Sequence, residues 1–471
     1  MIEPAGAFGQ RTLAMTHWDE RDLSGWGRYP VTRSQVARPE RRAEVFEAFG
    51  ERDGSGMLAH GLGRSYGDAA LLDGGKVVLT RRLDRMLDFD PETGWLRCEA
   101  GVSIEDILET FVPRGFFPPV TPGTKFVTVG GALGCDVHGK NHHVDGCWSN
   151  HIRNVELLTA SGEVVTCDRE QEPELFDATV GGMGLTGITL AMDVKLTPIH
   201  NPWIAMESVR VENLDHFFEV SAESGGFTHT VSWIDCVKRG QAMGRGIFMR
   251  GRHADADEVG HAGALGKLID VAHPLLAVPL DGPNWLLNNA SIRLFNEAYF
   301  RKHPKGQKNV LQHYDPFFYP LDVVRDWNKI YGKRGFLQYQ LVVPKEGDNA
   351  PLRAVLDAIT KSGMGSFLAV IKEFGDISNG GLSFPIPGVT LALDFANYGA
   401  PLLDLMERLD AIVVEAGGRV YLGKDARVSR ATFRRMYPEW EAWKAVRDQW
   451  DPSGVFQSDL GRRLGLVGGA A

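Results

Sequence analysis

The stretch HGLGRSYGD, residues 60–68, follows a predicted strand and concentrates small residues in one loop. Successive small residues allow several backbone N–H groups to point at a single anion, so this loop is a candidate phosphate-binding nest. Its glycines stand at 61, 63 and 67, so the gap between the second and the third is one residue longer than in the GxGxxG dinucleotide-binding fingerprint. No long amphipathic helix follows. A GxxxxGK(S/T) phosphate-binding loop is also absent from the sequence. The loop therefore indicates an anion site outside a Rossmann fold, with an ordinary glycine-rich turn as the alternative.

Two further glycine-rich regions follow along the chain. The first comprises TPGT (121–124), TVGGA (128–132) and CDVHGKNHH (135–143), and the second is GGMGLTGI (181–188). This density of glycine suits a backbone wrapped around a large planar cofactor and its pyrophosphate. Cys135, His138 and His142 also have the spacing of metal ligands. No HExxH glutamate and no second Cys/His cluster accompanies them, so no metal is predicted.

The composition is that of a globular protein of two large or three smaller domains. The 471 residues are 43% apolar and 24% charged, which excludes a disordered, collagen-like or disulfide-scaffold chain. Acidic residues exceed basic ones by 60 to 51, giving a net charge of -9. The chain thus lacks the basic field that nucleic-acid binding requires, and no nucleic-acid partner is expected.

The cysteines and the N-terminus bear on the compartment. Five cysteines, without a CxxC pair, indicate a reduced chain. The N-terminus lacks a basic region followed by an apolar one, so no signal peptide is expected. No apolar run reaches the length of about 18 residues that a transmembrane helix needs. We expect a protein that is cytoplasmic or peripheral at the inner membrane.

Local patterns predict the main helices and one hairpin. Ser103 precedes a helix with apolar residues at 104, 107, 108 and 111, and Asp106 stands at the capping-box position. Residues 401–416 form an amphipathic pattern that Gly417 and Gly418 end. A helix is also predicted at 172–180, a hairpin at 155–159 with 164–166, and further helix up to residue 456.

Strands are predicted at 77–79, 228–233, 246–249, 337–343, 367–371, 390–395 and 419–422. Residues 253–310 show no clear periodicity of apolar residues. A helical region is favoured there over an insertion that becomes ordered on a membrane or substrate.

Taken together, these stretches resemble the vanillyl-alcohol oxidase superfamily with its PCMH-type FAD-binding domain. Within it the sequence is most similar to the family of oxidase subunits of decaprenylphosphoryl-β-D-ribose 2′-epimerase. The matching stretches span nearly the whole chain. They are GLGRSYGD (61–68), PGT (122–124), VTVGGA (127–132), CDVHGKNHH (135–143), LLTASGE (157–163), ATVGGMGLTGI (178–188), GFLQYQ (335–340), LSFPIPG (382–388), GGRVYLGKDAR (417–427) and DPSGVFQSD (451–459).

The resemblance implies an α+β flavoprotein of two domains. The FAD-binding domain would comprise residues 1–200 and 418–471. It would be interrupted by a substrate-binding domain with an antiparallel sheet at 201–417.

The resemblance also implies where FAD binds, and that it binds non-covalently, because the first loop has no histidine at the attachment point. The implied cofactor-binding residues are Gly61, Leu62, Gly63, Arg64, Ser65, Tyr66, Gly67, Asp68, Gly123, Thr128, Val129, Gly130, Gly131, Cys135, Asp136, Val137, His138, Ile188 and Tyr421.

For catalysis, the resemblance points to Lys424, a cation that would stabilise negative charge developing on the reduced flavin. His138 is a second candidate, for contact with the flavin or for removal of the hydroxyl proton. The implied substrate-binding residues are Tyr319, Gln338, Gln340, Lys372 and Asp394. Gln338 and Gln340 are two apart in a predicted strand and therefore face one side, where their amides suit sugar hydroxyls.

One position departs from the family pattern. Well-known members carry a cysteine in the strand after FPIPG, and electrophilic inhibitors trap it. Here Ala392 stands in that place. Trapping at this position is not expected, and the sugar or lipid carrier of the substrate stays open.

The activity implied by the resemblance is FAD-dependent oxidation of the C2 hydroxyl of a polyprenyl-phosphoryl-β-D-ribose to the 2-keto sugar. This is the first half of epimerisation to the arabinose form, an arabinan precursor in cell wall biogenesis. A partner NAD(P)-dependent reductase would complete it, and the lipid substrate implies peripheral membrane contact. The alternatives are a soluble alditol or sugar-lactone oxidase using O2 and a non-catalytic flavoprotein scaffold.

Overall fold

The computed structural model describes residues 16–260, 276–283, 285–345 and 347–468. The strands of the first 200 residues are β1 (Asp19–Ser24), β2 (Val31–Ala37), β3 (Met57–His60), β4 (Lys76–Leu79), β5 (Met86–Asp90), β6 (Trp95–Glu99), β7 (Phe116–Phe117), β8 (Ile152–Leu158), β9 (Val164–Cys167), β10 (Ile188–Lys195) and β11 (Thr197–Pro198).

These strands form two main sheets and one small one. The first has the order β1-β2-β4-β3, in which β1 and β2 are antiparallel and both β2 and β3 run parallel to β4. The second has the order β5-β6-β10-β8-β9 and is antiparallel throughout. The predicted hairpin is confirmed, because Leu158 of β8 lies opposite Val164 of β9. β7 and β11 pair separately.

The helices of this part include the one predicted after Ser103. Ser103 Oγ accepts from the Asp106 backbone N–H at 3.1 Å, and the Asp106 carboxylate accepts from the Ser103 N–H at 2.8 Å. This capping box satisfies two donors that the helix start leaves unpaired. The predicted helix at 172–180 is also confirmed, one residue shorter at each end. The helices are α1 (Arg42–Gly50), α2 (Ile104–Phe111), α3 (Val129–Gly134), α4 (His142–Asp145) and α5 (Pro173–Thr179).

The remaining strands build mainly one eight-stranded sheet, with the order β16-β12-β14-β13-β19-β20-β18-β21 and antiparallel neighbours. Two short strands, β15 and β17, form a separate parallel pair. The strands are β12 (Trp203–Val211), β13 (His229–Ile234), β14 (Gly246–His253), β15 (Leu276–Ala277), β16 (Gln307–His313), β17 (Val324–Arg325), β18 (Phe336–Val343), β19 (Ala369–Phe374), β20 (Gly388–Ala396) and β21 (Arg419–Val420).

Each predicted strand of this part is present, with shifted ends. The strand predicted at 419–422 is too long, because the chain turns after Val420 into a 3₁₀ helix at Leu422–Lys424. The other 3₁₀ helices described are Thr80–Arg82, Val112–Arg114, Trp148–His151, Gly240–Ala242 and Trp327–Tyr331.

The later helices cover the sheet and the C-terminal part. The amphipathic helix predicted at 401–416 is confirmed, and Gly417 ends it with a φ of +69°. In 253–310, residues 261–275 and 284 lie outside the described part, and two helices are described. The helices are α6 (Leu214–Ala222), α7 (Ala256–Gly260), α8 (Asn289–Lys302), α9 (Tyr314–Phe318), α10 (Ala350–Ser362), α11 (Ala400–Glu415), α12 (Arg430–Met436), α13 (Trp440–Trp450) and α14 (Asp459–Leu464).

The two faces of the large sheet have different surroundings because side chains alternate along a strand. Leu337, Tyr339 and Leu341 of β18 belong to the main hydrophobic core, together with Leu356 of α10 and Leu405 of α11. The intervening residues of β18 point to the other face, which lines a cavity. The sheet thus separates an apolar core from a potential site.

The C-terminal segment returns to the first sheet. The Met57 N–H donates to the Val455 carbonyl at 2.7 Å, and Arg463 makes a bidentate ion pair with Asp68 at 2.8 Å. Arg463 also contacts Asp425 at 2.9 Å.

The architecture is α+β, as predicted. The proposed domain limits remain a prediction, and β21 joins the large sheet just beyond the limit at 417. Among the described helices, none combines the length and apolar character needed to cross a bilayer.

Candidate active site

A cavity of about 720 Å³ lies between the glycine-rich loops and the free face of the eight-stranded sheet. This volume is in the upper part of the range of about 300–1,000 Å³ that ligand pockets occupy. One wall comes from the loops at 61–66, 121–124 and 128–140, and the opposite wall from β12, β13, β14, β18, β19 and β20. The cavity therefore joins the predicted cofactor region to the predicted substrate region.

Cross-strand register explains which side chains share the sheet wall. Trp233 lies opposite Val370, Val370 opposite Ala392, and Ala392 opposite Gln340. These four residues form one row across four strands, and all four line the cavity. The row runs from an indole at β13 to an amide at β18. Its two ends thus offer different chemistry to a ligand.

The first loop leaves no room for side chains at two glycines. A Cβ on Gly61 would lie 2.4 Å from Thr128 Oγ1, and a Cβ on Gly67 would lie 1.8 Å from the Asp425 carbonyl oxygen. Real Cβ atoms do not approach a backbone oxygen so closely. The lack of a side chain at 61 allows the first loop to approach Thr128 of the second loop. The lack of one at 67 allows the first loop to approach the C-terminal segment at Asp425.

Most of the predicted site residues line this cavity. They are Gly61, Leu62, Gly63, Arg64, Ser65, Tyr66, Gly123, Thr128, Gly130, Gly131, Cys135, Val137, His138, Tyr421, Gln338, Gln340, Lys372, Asp394 and Lys424. Six do not line it: Gly67, Asp68, Val129, Asp136, Ile188 and Tyr319.

All six are buried in the protein interior. Asp68 pairs with Arg463, and Asp136 accepts from the Ser149 N–H and from the side chains of Asn379 and Ser383. Tyr319 is fully buried, with its hydroxyl 2.6 Å from Thr121 Oγ1. The structure therefore does not bring the expected substrate contact of Tyr319 into the cavity.

Lys424 lies where the two walls meet. Its Nζ is 3.8 Å from the centroid of the Tyr66 ring, a cation–π contact with the first loop. Burial lowers the pKa of Lys424 to about 8, and the Asp394 carboxylate opposes this shift. The ammonium is charged at neutral pH and has no ion pair with a described carboxylate.

Two more lysines line the same cavity. Lys372 Nζ donates to the Gly139 carbonyl at 3.3 Å, and Lys140 Nζ donates to the Phe317 carbonyl at 2.6 Å. Burial lowers the pKa of Lys372 to about 8 and that of Lys140 to about 7, and repulsion from a neighbouring lysine adds to each shift. Cations that repel one another in this way favour an anionic ligand between them.

His138 is held beside this cluster. Its Nε2 lies 2.9 Å from the Gln340 side-chain nitrogen, and its Nδ1 is buried without a hydrogen-bond partner among the described residues. Burial and the nearby Lys372 hold the pKa of His138 well below its usual value. The imidazole is therefore neutral and keeps one nitrogen for a ligand.

Asp394 supplies the carboxylate of the sheet wall. Gln338 donates to its Oδ1, and burial raises the pKa of Asp394 to about 7. Gln338 and Asp394 lie directly opposite each other on β18 and β20. A carboxyl group with this pKa can exchange a proton at neutral pH.

The loop wall fits a large anionic cofactor by its own chemistry. Arg64 stacks on Trp26 at 3.9 Å and its buried Nε has no partner among the described residues. Gly123 has open space beside its Cα. An unpartnered guanidinium nitrogen and a glycine-rich wall suit a pyrophosphate and a planar ring.

The metal alternative has no support in the placement of its three residues. Cys135 Sγ lies near Ser65 Oγ (3.6 Å) and Met183 Sδ (3.8 Å), whereas His138 contacts Gln340. His142 Nδ1 accepts from the Gly375 N–H at 3.3 Å. Within the described part of the chain, no group of three His, Cys, Asp or Glu side chains has a metal-binding arrangement.

Sequence reasoning missed one polar and one apolar set of lining residues. Lys140 and Asp322 line the cavity, and burial raises the pKa of Asp322 to about 6. The apolar set comes from separate elements and includes Trp26, Met206, Val231, Met249, Phe295, Tyr299, Phe317, Phe318, Trp327 and Phe367. The spacing of two between Val231 and Trp233 was a usable signal, since both lie on one face of β13.

Comparison with known proteins gives two family matches. Residues 34–168 match the family described as FAD binding domain. Residues 392–464 match the family described as D-arabinono-1,4-lactone oxidase. The first match includes the cavity loops at 61–66, 121–124 and 128–140, and the second begins at Ala392 and includes Lys424.

Two relatives align over almost their whole length. The chain is 39% identical over 451 residues to decaprenylphosphoryl-beta-D-ribose oxidase of Mycolicibacterium smegmatis, covering 94% of this chain and 97% of that protein. It is 22% identical over 455 residues to L-gulono-1,4-lactone dehydrogenase of Mycobacterium tuberculosis, covering 94% and 98%.

Proposed function

This chain belongs to the family of the decaprenylphosphoryl-beta-D-ribose oxidases, and from that premise we propose that it oxidises the C2 hydroxyl of a polyprenyl-phosphoryl-β-D-ribose to the 2-keto sugar. The chain is an FAD-dependent oxidoreductase with the α+β fold of the vanillyl-alcohol oxidase type. In the proposed role it performs the first half of the epimerisation of ribose to arabinose.

The division of the cavity into two kinds of surface carries this proposal. Gln338, Gln340, Lys372 and Asp394 occupy the β18–β20–β19 side of the sheet wall, where a sugar phosphate finds amides, cations and a carboxylate. The β13–β14–β12 side offers Trp233, Met249 and Met206, together with aromatic rings from the loops. A polar headgroup with an apolar tail matches both surfaces in one molecule.

The oxidation removes a hydride from C2 and a proton from the C2 hydroxyl. FAD, when bound, supplies the hydride acceptor. We assign the hydroxyl proton to Asp394, because this carboxylate lines the cavity beside Gln338, and burial raises its pKa toward neutral pH. Burial instead holds the pKa of His138 well below its usual value. His138 and Gln340 then orient the sugar, and the Lys424 ammonium stabilises the negative charge that accompanies hydride transfer.

The lysines beyond Lys424 fit the substrate phosphate. Lys372 is close enough to Lys140 to lower its pKa, and the hydrogen bonds described for the two ammonium groups go to backbone carbonyls. A phosphodiester placed between them would relieve this repulsion. In this arrangement the phosphate lies beside Gly139 and Phe317.

Three further features belong to the proposal. FAD is bound non-covalently, which acid precipitation tests: intact FAD in the supernatant supports it, and a yellow pellet contradicts it. A partner NAD(P)-dependent reductase converts the keto sugar to the arabinose form. The lipid-linked substrate is reached by peripheral contact with a membrane.

A sugar-lactone oxidase is the second candidate, because residues 392–464 match the D-arabinono-1,4-lactone oxidase family. The decisive experiment is anaerobic flavin reduction followed by absorbance at the flavin band. Purified protein is mixed with farnesyl-phosphoryl ribose, with xylitol, or with L-gulono-1,4-lactone. Bleaching by the prenyl sugar alone supports the proposal, whereas bleaching by xylitol or the lactone alone contradicts it.

A further inference from the structure

Two buried carboxylates come together where the first glycine-rich loop meets the 3₁₀ helix Leu422–Lys424, here called the lysine turn. Asp68 ends the first loop, and Asp425 directly follows Lys424. The two residues are 4% and 7% exposed, and neither lines the cavity. Burial raises the pKa of Asp68, and the charge of Asp425 adds to this shift. Because the two carboxylates repel each other, their approach requires a cation between them.

The guanidinium of Arg463 is that cation. Its Nε and Nη2 donate to the two carboxylate oxygens of Asp68, each at 2.8 Å, and Nη2 also contacts Asp425 Oδ2 at 2.9 Å. The third nitrogen, Nη1, donates to the Val428 carbonyl. All three nitrogens are therefore used, and the planar fork of arginine serves four oxygen atoms that a lysine could not serve together.

Helix α14 presents Arg463 from a fixed backbone. The Asp459 N–H at the start of the helix donates to the Leu71 carbonyl at 2.7 Å, just beyond the first loop. Leu460 and Leu464 are fully buried. The position of the guanidinium is therefore set by the packing of α14 against the FAD-binding region.

The lysine turn is in direct contact with the first loop. The Tyr66 N–H donates to the Gly423 carbonyl at 3.1 Å, and Lys424 Nζ lies 3.8 Å from the centroid of the Tyr66 ring. The Asp425 carboxylate accepts from the Val428 N–H at 3.1 Å and so fixes the chain just after Lys424. A shift of Asp425 relative to the first loop would therefore move the Lys424 ammonium as well.

We propose that Arg463 is a positioning residue for the oxidation: by joining Asp68 to Asp425, it fixes the Lys424 ammonium relative to the first loop and to the flavin bound there. The inference rests on the proposed role of Lys424 in flavin reduction. Arg463 does not line the cavity, so it acts through the two carboxylates. A displacement of about 1 Å in a group that acts on the reacting atoms can slow a reaction about 10²-fold.

The first test measures flavin reduction by farnesyl-phosphoryl ribose in the FAD-loaded variant Arg463→Gln, by anaerobic stopped flow. We expect a limiting rate about 10–100-fold below that of the parent, with little change in the substrate concentration that gives half the limiting rate. Arg463→Lys keeps the charge but loses the fork, so its rate should lie between the two. A limiting rate within threefold of the parent in Arg463→Gln would overturn the inference. If Arg463→Gln fails to fold, the same criterion applies to Arg463→Lys.

Arg97→Gln is the matched control. Arg97 also bridges two carboxylates, those of Asp193 and Glu156, and its side chain is 28% exposed against 23% for Arg463. It lies on β6 and does not line the cavity. Both glutamine variants should have a lower melting temperature, but only Arg463→Gln should reduce flavin more slowly. Equal slowing in the two variants would contradict a specific role of Arg463.

Sulfite titration of the bound FAD is a second readout, and it requires no substrate. The sulfur lone pair of sulfite forms a bond to flavin N5, and the displaced electron pair leaves negative charge on the ring, which a nearby cation stabilises. Lys424→Met should weaken sulfite binding about tenfold or more, and Arg463→Gln should weaken it by a smaller factor. Unchanged binding in Lys424→Met would contradict the proposed role of Lys424. Weaker binding in Lys424→Met alone would overturn only the role of Arg463.

A double variant tests whether the two residues act together. Once Lys424 is replaced, the ammonium that Arg463 positions is gone, so K424M/R463Q should reduce flavin nearly as fast as Lys424→Met. The expected result is a combined loss well below the product of the two single losses. If the two losses multiply, Arg463 acts independently of Lys424 and the inference is wrong.

Discussion

The two walls of the cavity are built in different ways. The loop wall is rich in glycine backbone, with a few long side chains such as Arg64 and His138. Gly61 within it lies close to Thr128, and Gly67 behind it lies close to the Asp425 carbonyl. The sheet wall presents long side chains from strands far apart in sequence, such as Trp233 and Gln340. A backbone wall suits a cofactor of constant structure, whereas a side-chain wall can be altered one residue at a time. The difference predicts that loop variants affect FAD retention and sheet variants affect substrate turnover.

Lys424→Met should give the largest effect, because Lys424 lies where the walls meet. The variant is expected to retain FAD and to reduce flavin about 10²–10³-fold more slowly with substrate, the cost typical of losing one charge-stabilising donor. Stopped-flow absorbance measures the rate. Lys345→Met is the control, since Lys345 is an exposed lysine paired with Glu373. A rate within threefold of the parent would contradict the role.

Gly67→Ala should disturb the packing behind the loop wall. Its Cβ would meet the Asp425 carbonyl at 1.8 Å, and overpacking against backbone costs about 1–3 kcal/mol or more. The FAD-to-protein ratio after gel filtration and the melting temperature should both fall. Gly50→Ala provides the comparison, because nothing lies within 4 Å of its Cβ. Equal FAD content in the two variants would show that the close contact is unimportant.

Asp394→Asn tests the role of the sheet wall through the pH dependence of the flavin reduction rate. With Asp394 as proton acceptor, the flavin reduction rate should rise with pH through about 7, where the carboxyl ionises. The asparagine variant should lose this rise in rate with pH. Above pH 7 it should reduce flavin more slowly than the parent by a factor of about ten or more, as expected for the loss of a general base. An unchanged pH profile would remove the assignment.

The same substitution has a predictable effect on stability. Burial raises the pKa of Asp394 from 3.8 in the unfolded chain to about 7 in the folded protein. Between these values the folded protein binds more protons, so the free energy of unfolding falls as pH rises. Denaturant melts at pH 5 and pH 8 should therefore show a smaller pH dependence in Asp394→Asn.

Trp233→Leu should have the smallest effect of the four substitutions. It shrinks the apolar end of the sheet wall and removes a hydrogen bond from the indole to the Phe367 carbonyl at 3.0 Å. We expect kcat/KM to fall a few-fold more for a long prenyl chain than for a short one, the scale of a partial loss of apolar contact. Trp440→Leu, away from the cavity, controls for general destabilisation. An equal fall for both chain lengths would place the tail elsewhere.

Local signals predicted several elements near the cavity. The capping box at Ser103 depends on neighbours within a few residues, and its helix forms as predicted. The glycine-rich stretch after His60 is a loop that follows a strand, as predicted, and its binding of an anion stays a prediction. The helix at 401–416 is likewise encoded by its own periodicity and its terminal glycine. Such features do not require knowledge of distant contacts.

The sheet wall depended on long-range pairing that no local pattern specifies. Placing Trp233 in the row with Gln340 requires the order β13-β19-β20-β18, which joins segments more than 100 residues apart. The role of Tyr319 stays a prediction, since the residue is fully buried and its hydroxyl lies 2.6 Å from Thr121 Oγ1, behind the lining of the cavity. Lys140 stood within a quoted stretch, but only the fold brings it near Lys372. Packing, and not residue type, decides which polar side chains face the ligand.

The ion pair between Asp68 and Arg463 has a consequence for biosynthesis. The two residues are 395 positions apart, so the first glycine-rich loop waits for its partner until almost the whole chain has left the ribosome. Strands β12 to β20 are complete well before that moment. The strands β12 to β20 can therefore assemble during translation, whereas the ion pair that fixes the first loop can form only after synthesis of residue 463. A nascent chain arrested before that point should hold a formed sheet and retain no flavin.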